Sequence, residues 1–239
     1  MVIDDAMVEH VDTLALITSG NAGYSLARLA EGTGIRVVCI IDKTVEPHIK
    51  EHLKKLCRII EADLSQKIFQ NEDVYALARE TSKEVIWDVT NGYHAAFRSI
   101  IKEIKKEEPD WLITPVGSGE AYVGLYEGMK KYKMKTKLVG VGVHQLQDHR
   151  LELRKDPSIA DKLYTPYTPY KRRIEAILKE GQFYIQLSER QISDAYEKVS
   201  DIISCEPSSA TVFAALLRID IKKDSKVIVI NSGKGVWKS

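Results

Sequence analysis

The amino-acid sequence predicts an α/β protein built on parallel β-sheets. Along most of the chain, a short run rich in β-branched residues is followed by glycine or polar residues and then by an amphipathic stretch of helical period. This alternation of strands and helices is typical of parallel sheets. Three of the strands also run directly into loops that contain glycine, and such loops lie at the ligand-binding edge of parallel sheets.

Seven strands are expected in chain order. They cover residues 13–18, 36–41, 57–62, 111–115, 137–143, 182–187 and 226–231. Helices are expected between them, and the clearest helix start is a capping box formed by Ser188 and Gln191. Gly32 and Gly128 are interpreted as helix stops, because glycine readily adopts the left-handed backbone that ends many helices.

The pattern of strands and helices dissolves between residues 144 and 170, where charged residues and prolines follow one another. Proline forbids a central strand or a helix interior, so this segment is interpreted as a long surface connection, with His144 and His149 on the surface. A division of the chain is expected near Thr90. It separates a smaller α/β lobe, residues 1–90, from a larger one, residues 91–239.

Composition and charge narrow the class of function. The chain carries 35 basic and 34 acidic residues, so no long-range field draws it to nucleic acid or to an anionic membrane. Cys39, Cys57 and Cys205 are widely spaced without a CxxC motif, which argues against a disulfide framework or a zinc knuckle. The apolar runs are too short to span a bilayer, and aspartates stand where a signal peptide needs positive charge. The expectation is a cytoplasmic protein that acts on small molecules.

The glycine loops are candidates for binding an anionic ligand. Their sequences are SGNAG at residues 19–23, VGSGE at residues 116–120 and NSGKG at residues 231–235. Glycine permits a positive φ and a close approach of backbone to ligand, and the free N–H groups of a following helix favour an anion. Three such loops in one chain favour a shared ligand over three unrelated tight turns.

A nucleotide-binding fold is the obvious alternative, since Asp42 ends the second strand where a Rossmann protein carries its ribose-binding acid. The glycine spacing argues against this alternative. Neither of the first two loops forms GxGxxG, and the third lacks the upstream glycine and the hydroxyl of a P-loop. Asp42 is therefore interpreted as an ordinary turn residue at a strand end.

The loops resemble those of fold-type II pyridoxal-phosphate (PLP) enzymes, the superfamily of threonine synthase and cysteine synthase. The first resembles the family's SGN(T/A)G loop, the second its phosphate loop, and the third the closing N-T-G-x-G of threonine synthases. Residues 92–104, 158–161 and 206–210 resemble further family segments in the same order. The resemblance covers nearly the whole chain. It implies the tryptophan synthase β-subunit-like PLP fold, with two parallel-sheet lobes and a cleft between them.

The resemblance also implies roles in binding pyridoxal 5′-phosphate and an amino acid. Asn21 would bond the cofactor's 3′-oxygen, while Ser19 and Gly20 would receive the amino-acid carboxylate. Ser232 would meet the pyridine nitrogen, and a neutral hydroxyl there goes in this family with β- and γ-elimination or replacement. The phosphate would be held by Gly117, Ser118, Gly119, Glu120 and Ala121. Glu120 departs from the family pattern, since many relatives carry a small or neutral residue in this loop. A carboxylate at this position would repel the phosphate unless its side chain turns outward.

The family's Schiff-base lysine has no counterpart in this sequence, so no catalytic residue is assigned. Relatives carry it in an S-x-K-x-R-like segment upstream of the SGN loop, whereas here eighteen residues precede Ser19 and none of them is lysine. The expectation is an N-terminally truncated relative that holds PLP weakly and without a covalent bond, with catalysis impaired or absent in this chain alone. Three explanations stay open: the chain is naturally short, it is a fragment of a longer one, or a partner chain supplies the segment. A homo-oligomer such as a dimer is also expected. Lys43 and Lys234 are interpreted as solvated residues.

Two alternative functions stay open: a non-catalytic pseudoenzyme with a regulatory or assembly role, and the nucleotide-binding protein. His48 and His52 stand four residues apart without an evident third ligand, so no metal site is expected. The tyrosines at 164, 167 and 170 are interleaved with prolines near a short basic cluster, and this cluster is interpreted as a solvated helix start.

Overall fold

The computed structural model describes residues 2–64, 69–154, 156–163 and 169–234. The chain divides into two compact units, and the described part of the first runs to Asn91 and that of the second begins at Gly92. Tyr164, Tyr167 and Gly235, which the sequence analysis singled out, lie outside the described residues.

The first unit is a parallel sheet with helices between its strands. Its helices are α1 (Val2–Val8), α2 (Asn21–Ala30), α3 (Pro47–Lys54) and α4 (Asn71–Ala78). Its strands are β1 (Thr13–Ile17), β2 (Arg36–Asp42), β3 (Arg58–Ala62) and β4 (Ile86–Asp88). They lie in the order β3-β2-β1-β4, and all neighbours are parallel. β1 and β2 read as almost continuous apolar runs because helices cover both faces of such a sheet.

The second unit repeats this plan with a larger set of helices. Its helices are α5 (Arg98–Ile104), α6 (Glu120–Lys131), α7 (Lys171–Lys179), α8 (Glu189–Val199) and α9 (Pro207–Leu216). Its strands are β5 (Trp111–Pro115), β6 (Lys137–Gly142), β7 (Gln145–Gln147), β8 (Arg150–Glu152), β9 (Phe183–Gln186) and β10 (Val227–Val229). The parallel sheet has the order β10-β5-β6-β9, while β7 and β8 form an antiparallel pair.

The strand order in each unit creates one point where the chain reverses direction across the sheet. From β1 the chain adds β2 and β3 on one side and then returns to place β4 on the other side of β1. From β5 it adds β6 and β9 on one side and then returns to place β10 on the other side of β5. Ligands of open parallel sheets bind at such reversal points, beyond the carboxyl ends of the strands. Two of the predicted glycine loops follow β1 and β5.

The predicted α/β architecture with parallel sheets is confirmed. Each of the seven expected strands is present, generally with ends shorter by a residue or two. The capping box at Ser188 is also confirmed, since its hydroxyl accepts the N–H of Gln191 and the Gln191 side chain accepts the N–H of Ser188. Gly32, with φ of 77°, follows the end of α2 as expected.

Three sequence-based interpretations are wrong. Gly128 does not end a helix but lies buried inside α6. The segment after residue 143 is not a plain surface connection, because β7 and β8 lie within it and Leu151 is fully buried. His144 is likewise fully buried and not on the surface, whereas His149 is exposed. The physical reason is that β7 and β8 are only three residues each, too short to show a period of their own.

Candidate functional site

The loop between β5 and α6 is shaped to bring backbone N–H groups close to a ligand. Gly119 is the N-cap of α6 with φ of 93°, a conformation that other residues rarely adopt. A Cβ on Gly117 would come within 2.8 Å of the carbonyl oxygen of Lys162, so a side chain at 117 would collide with backbone. The first turn of α6, from Glu120, presents the positive end of a twelve-residue helix. This is the local geometry that binds a phosphate or another anion.

A pair of serine hydroxyls belongs to the same unit and the same edge of its sheet. Ser232 follows β10, which is the parallel neighbour of β5, so both chains leave the sheet at the carboxyl edge. The hydroxyl oxygen of Ser232 lies 3.1 Å from that of Ser209, a fully buried residue in the first turn of α9. The N–H of Glu206, the N-cap of α9, donates to the carbonyl of Gly233 at 3.1 Å and ties the two segments together.

Residues 160–163 join the glycine loop to α9. The N–H of Lys162 donates to the hydroxyl of Ser208 at 3.1 Å, and the same residue's carbonyl is the one that faces Gly117. Its ammonium group pairs with Asp161 at 2.5 Å, and its side chain is only 15% exposed. The sequence analysis assigned no role to Lys162, Ser208 or Ser209, although it had noted the segments that contain them.

The carboxylate of Glu120 is engaged with protein groups. It accepts the N–H of Tyr93 at 2.5 Å and the phenol of Tyr170 at 3.2 Å. The Tyr170 oxygen in turn accepts the N–H of Gly92 at 3.1 Å. Burial, and then the negative charge of Glu120, raises the pKa of Tyr170 to about 12, so the phenol stays protonated and can donate. The side chain of Glu120 is thereby tied to residues 92–93 and 170 at the start of α6.

The loop after β1 forms the corresponding feature of the first unit. Gly20 has φ of 131° and ψ of −57°, which no residue with a side chain adopts without strain. The hydroxyl of Thr18 accepts the N–H groups of Gly20 at 3.0 Å and of Gly23 at 3.4 Å, so the turn is fixed by its own side chain. Asn21 begins α2 directly after this turn, and Ser19 precedes it; both are partly exposed.

The predicted site residues thus fall into two groups. In the second unit, the loop of residues 117–121 and Ser232 follow neighbouring parallel strands, although they are far apart in sequence. Ser19, Gly20 and Asn21 belong to the first unit. The expectation that both groups line one cleft stays a prediction.

Other candidate groups are placed away from these loops or on the surface. Lys43 and Lys234 are exposed, as are His48 and His52 on α3. Within residues 2–64, 69–154, 156–163 and 169–234, no three His, Cys, Asp or Glu side chains are grouped to hold a metal ion. Asp42 closes a strand-end turn: its carboxylate accepts the N–H groups of Thr44 and Leu64, both at 2.9 Å. A pocket of about 840 Å³ in the second unit opens at the opposite edge of the sheet, beside Trp111 and Lys137.

Comparison with protein families identifies the class of this fold and these loops. The family model described as "Pyridoxal-phosphate dependent enzyme" matches residues 3–233. The chain therefore belongs to the family of pyridoxal-phosphate-dependent enzymes, and its cofactor is pyridoxal phosphate.

Solved structures show that the chain has the fold of fold-type II pyridoxal-phosphate enzymes. A pyridoxal 5′-phosphate-dependent aspartate racemase is 18% identical with a TM-score of 0.79, over 98% of this chain and 78% of that one. Maize serine racemase is 21% identical with a TM-score of 0.77, over 98% and 75%. The O-acetylserine-dependent cystathionine β-synthase from Helicobacter pylori is 16% identical with a TM-score of 0.72, over 92% and 74%. At these identities the likeness establishes the fold alone. Within the described residues, no helix is both long and apolar enough to cross a membrane.

The second unit provides groups that fit this cofactor. The glycine loop and the start of α6 supply N–H donors suited to a dianionic phosphate. The hydroxyl pair of Ser209 and Ser232 supplies a neutral donor suited to a pyridine nitrogen. The negative charge of Glu120 does not fit a phosphate at this position, but its carboxylate is bonded to the N–H of Tyr93 and the phenol of Tyr170.

Proposed function

We propose that this chain binds pyridoxal phosphate non-covalently and that its site is built for elimination or replacement chemistry on small amino acids. One observation carries the proposal. In the second unit, β5 leads into the glycine loop at the N-terminus of α6. Its parallel neighbour β10 leads into Ser232, whose hydroxyl contacts that of Ser209. This arrangement offers an anion site and a neutral hydroxyl at the same edge of one sheet.

Each residue of the site has a separate task in this proposal. The N–H groups of residues 117–121 hold the phosphate, and Ser232 donates to the ring nitrogen while Ser209 fixes its orientation. Asn21 bonds the 3′-oxygen, and Ser19 with Gly20 receives the carboxylate of the amino acid. When bound, pyridoxal phosphate supplies an electron sink for charge that develops at the amino acid's Cα. A hydroxyl partner, unlike a carboxylate, does not force a full positive charge onto the ring, which favours β- and γ-elimination or replacement.

The 239-residue chain by itself is proposed to turn over slowly or not at all. Its first lysine is Lys43, so the segment before the SGN loop offers no amine to form a covalent bond or to move the Cα proton. None of the residues assigned above replaces such a base: Ser19 and Asn21 lack a suitable pKa, and Ser232 is assigned to the ring nitrogen. A lysine from outside these 239 residues would have to supply it.

Binding of pyridoxal phosphate, followed by its absorbance and by equilibrium dialysis, tests this proposal. The chain should bind pyridoxal phosphate more tightly than pyridoxal, because the phosphate contacts are lost in the latter. Ser232→Ala should weaken binding, whereas Ser193→Ala, which removes a hydroxyl on α8 that pairs with Glu197, should not. Borohydride treatment followed by mass spectrometry should leave every lysine unmodified. Equal binding of pyridoxal and its phosphate, or a pyridoxyl group fixed to a lysine, would contradict the proposal.

A non-catalytic role is the second candidate, and the same absence of a lysine before the SGN loop favours it. In that case the chain keeps the fold and ligand binding for a regulatory or assembly purpose. The two candidates differ in one measurable respect, namely whether a lysine-bearing segment restores turnover.

A further inference from the structure

Two cysteines of the first unit lie side by side beneath α2. The sulfur atoms of Cys39 and Cys57 are 3.5 Å apart. Cys39 is fully buried in the middle of β2, where Leu16 and Ile59 are its partners on the adjacent strands. Cys57 stands just before the first residue of β3 and lines a pocket of about 420 Å³ together with Arg36 and Arg58. One thiol is therefore enclosed, and its neighbour faces an opening.

The hydrogen bond between the two thiols makes them chemically unequal. The contact between the two sulfur atoms lowers the pKa of Cys57, while the same contact together with burial raises the pKa of Cys39. The thiolate is the reactive form of cysteine, and of the two sulfur-bearing residues Cys57 lines the opening whereas Cys39 is fully buried, so Cys57 is the nucleophile of the pair. Arg36 and Arg58 both pair with Glu80, and Arg36 also pairs with Glu84, so two carboxylates balance the two guanidinium groups and the pocket is open to a small neutral oxidant.

We propose that Cys39 and Cys57 form an oxidation site, a dithiol that hydrogen peroxide converts into a disulfide. The Cys57 thiolate attacks one oxygen of the peroxide, the O–O bond breaks, and the departing hydroxide takes up a proton to leave as water. The sulfenic acid on Cys57 is then attacked by the sulfur of Cys39, and the S–O bond breaks as hydroxide leaves with the proton of Cys39. Two thiols lose two electrons in total, and one peroxide is reduced to two water molecules.

The geometry allows the bond to close with a small movement. The sulfur atoms must approach from 3.5 Å to roughly 2 Å. Cys39 is held between two strands, whereas Cys57 precedes the β3 ladder and is tied by its N–H to Leu53 at 2.9 Å. Most of the movement therefore falls on Cys57 and the turn between α3 and β3.

Closure of this bond also reaches the loop after β1. A Cβ on Gly23 would lie 2.5 Å from the Cys39 sulfur, so the first turn of α2 rests directly on that atom. The N–H of Gly23 and that of Gly20 share the hydroxyl of Thr18. When the Cys39 sulfur is drawn toward Cys57, its contact with Gly23 changes and the turn that contains Ser19 and Asn21 loosens. Oxidation would thus loosen the SGN loop although no residue of that loop is itself oxidised.

The test treats the reduced 239-residue chain with hydrogen peroxide and maps the cysteines by alkylation and mass spectrometry. The product should be two hydrogen atoms lighter, with the peptides of Cys39 and Cys57 joined, and dithiothreitol should reverse the change. Cys57→Ser should abolish this product, whereas Cys205→Ser, in the second unit, should leave it intact. Hydrogen exchange of residues 18–24 should become several-fold faster after oxidation, while exchange of residues 117–121 should stay unchanged.

Two outcomes would overturn the proposal. One is conversion of Cys57 to a sulfinic acid, two oxygen atoms heavier, while Cys39 remains a thiol that can be alkylated after unfolding. The other is a disulfide that joins Cys57 to Cys205 or to a second chain. If the expected bond forms and exchange of residues 18–24 does not change, the coupling to the SGN loop is wrong. None of these readouts depends on pyridoxal phosphate, so the proposed function can fail independently.

Discussion

His144 shows how one buried side chain ties stability to pH. Its Nδ1 accepts the N–H of Arg154 at 3.2 Å, which places the proton of the neutral ring on Nε2. In the described part of the chain, that buried Nε2 has no hydrogen-bond partner. Burial lowers the pKa of His144 to about 4, because the charged imidazolium is poorly solvated there.

Replacement of His144 by asparagine should therefore make the unfolding free energy depend less on pH in the acid range. Between pH 6.5 and pH 4 the unfolded chain binds a proton at His144 that the folded chain does not bind, because the folded-state pKa is lower. The folded state therefore keeps its full stability above pH 6.5 and loses stability as the pH falls toward 4. The wild-type chain should lose roughly 3 kcal/mol of unfolding free energy more than His144→Asn across this window. Urea unfolding at several pH values measures the difference. The exposed His149→Asn serves as control and should behave like the wild type; equal acid sensitivity of His144→Asn would show that His144 is not the group responsible.

Glu120 allows a second test on a single residue. Its carboxylate stands at the first position of α6, where the proposed phosphate would bind, and is held there by Tyr93 and Tyr170. Glu120→Gln keeps an acceptor for both partners and removes the negative charge. Affinity for pyridoxal phosphate should rise about threefold to tenfold, which corresponds to roughly 1 kcal/mol. Pyridoxal, without a phosphate, should show no gain, and a similar gain for both ligands would place the phosphate elsewhere.

Strands and helices were predicted correctly where a run of apolar residues was long enough to recognise. The prediction failed at Gly128, because glycine serves more than one purpose in a helix. The strands that precede the SGN and phosphate loops are buried apolar runs, and these are visible in sequence. Gly128 was misinterpreted as a helix stop, although a Cβ at this position would lie 2.7 Å from Ile101 on α5. Glycine there permits close packing of two helices, and sequence alone does not distinguish that use from a helix end. β4 was missed because its three residues end in a charged one, whereas the equally short β10 lies within the longer apolar run of residues 227–230.

The backbone conformation of the loop between β5 and α6 depends on the absence of a side chain at Gly117. Gly117→Ala would place a methyl group 2.8 Å from the backbone carbonyl of Lys162, which cannot rotate away as a side chain could. We expect a loss of about 1–3 kcal/mol in unfolding free energy. Ser118→Ala in the same loop removes only a weak 3.4 Å contact with the N–H of Glu120 and should cost far less. Thermal or urea unfolding of both variants makes the comparison, and equal losses would show that Gly117 is not sterically required.

At the scale of the molecule, the sequence identified the fold, the cofactor family and the loops, because each loop is a contiguous segment at a strand end. The side-chain partners of those loops could not be predicted in the same way. Ser209 meets Ser232 across 23 residues, and Lys162 meets Ser208 across 46. Such pairs arise from packing of α9 and residues 160–163 against the sheet, for which a single sequence carries no local signal. The tie between Glu120 and Tyr170 arises similarly, across 50 residues.

Catalysis by these 239 residues would need a base for the Cα proton. Alone, it should show little elimination or replacement on O-phosphohomoserine, O-acetylserine, serine or threonine beyond that of free pyridoxal phosphate. A positioned base contributes roughly a hundred- to ten-thousand-fold to proton transfer, and residues 1–42 contain no lysine to provide it.

If that base is the whole defect, a peptide or second chain that carries the family's lysine helix should raise the rate sharply. The same peptide with its lysine replaced by alanine serves as control and should fail. No increase with either peptide would favour the non-catalytic role, because the loops would then bind cofactor without supporting the chemistry. Robust turnover by the chain alone, abolished by Asn21→Ala and free of host enzyme, would instead show that another group of this chain moves the Cα proton.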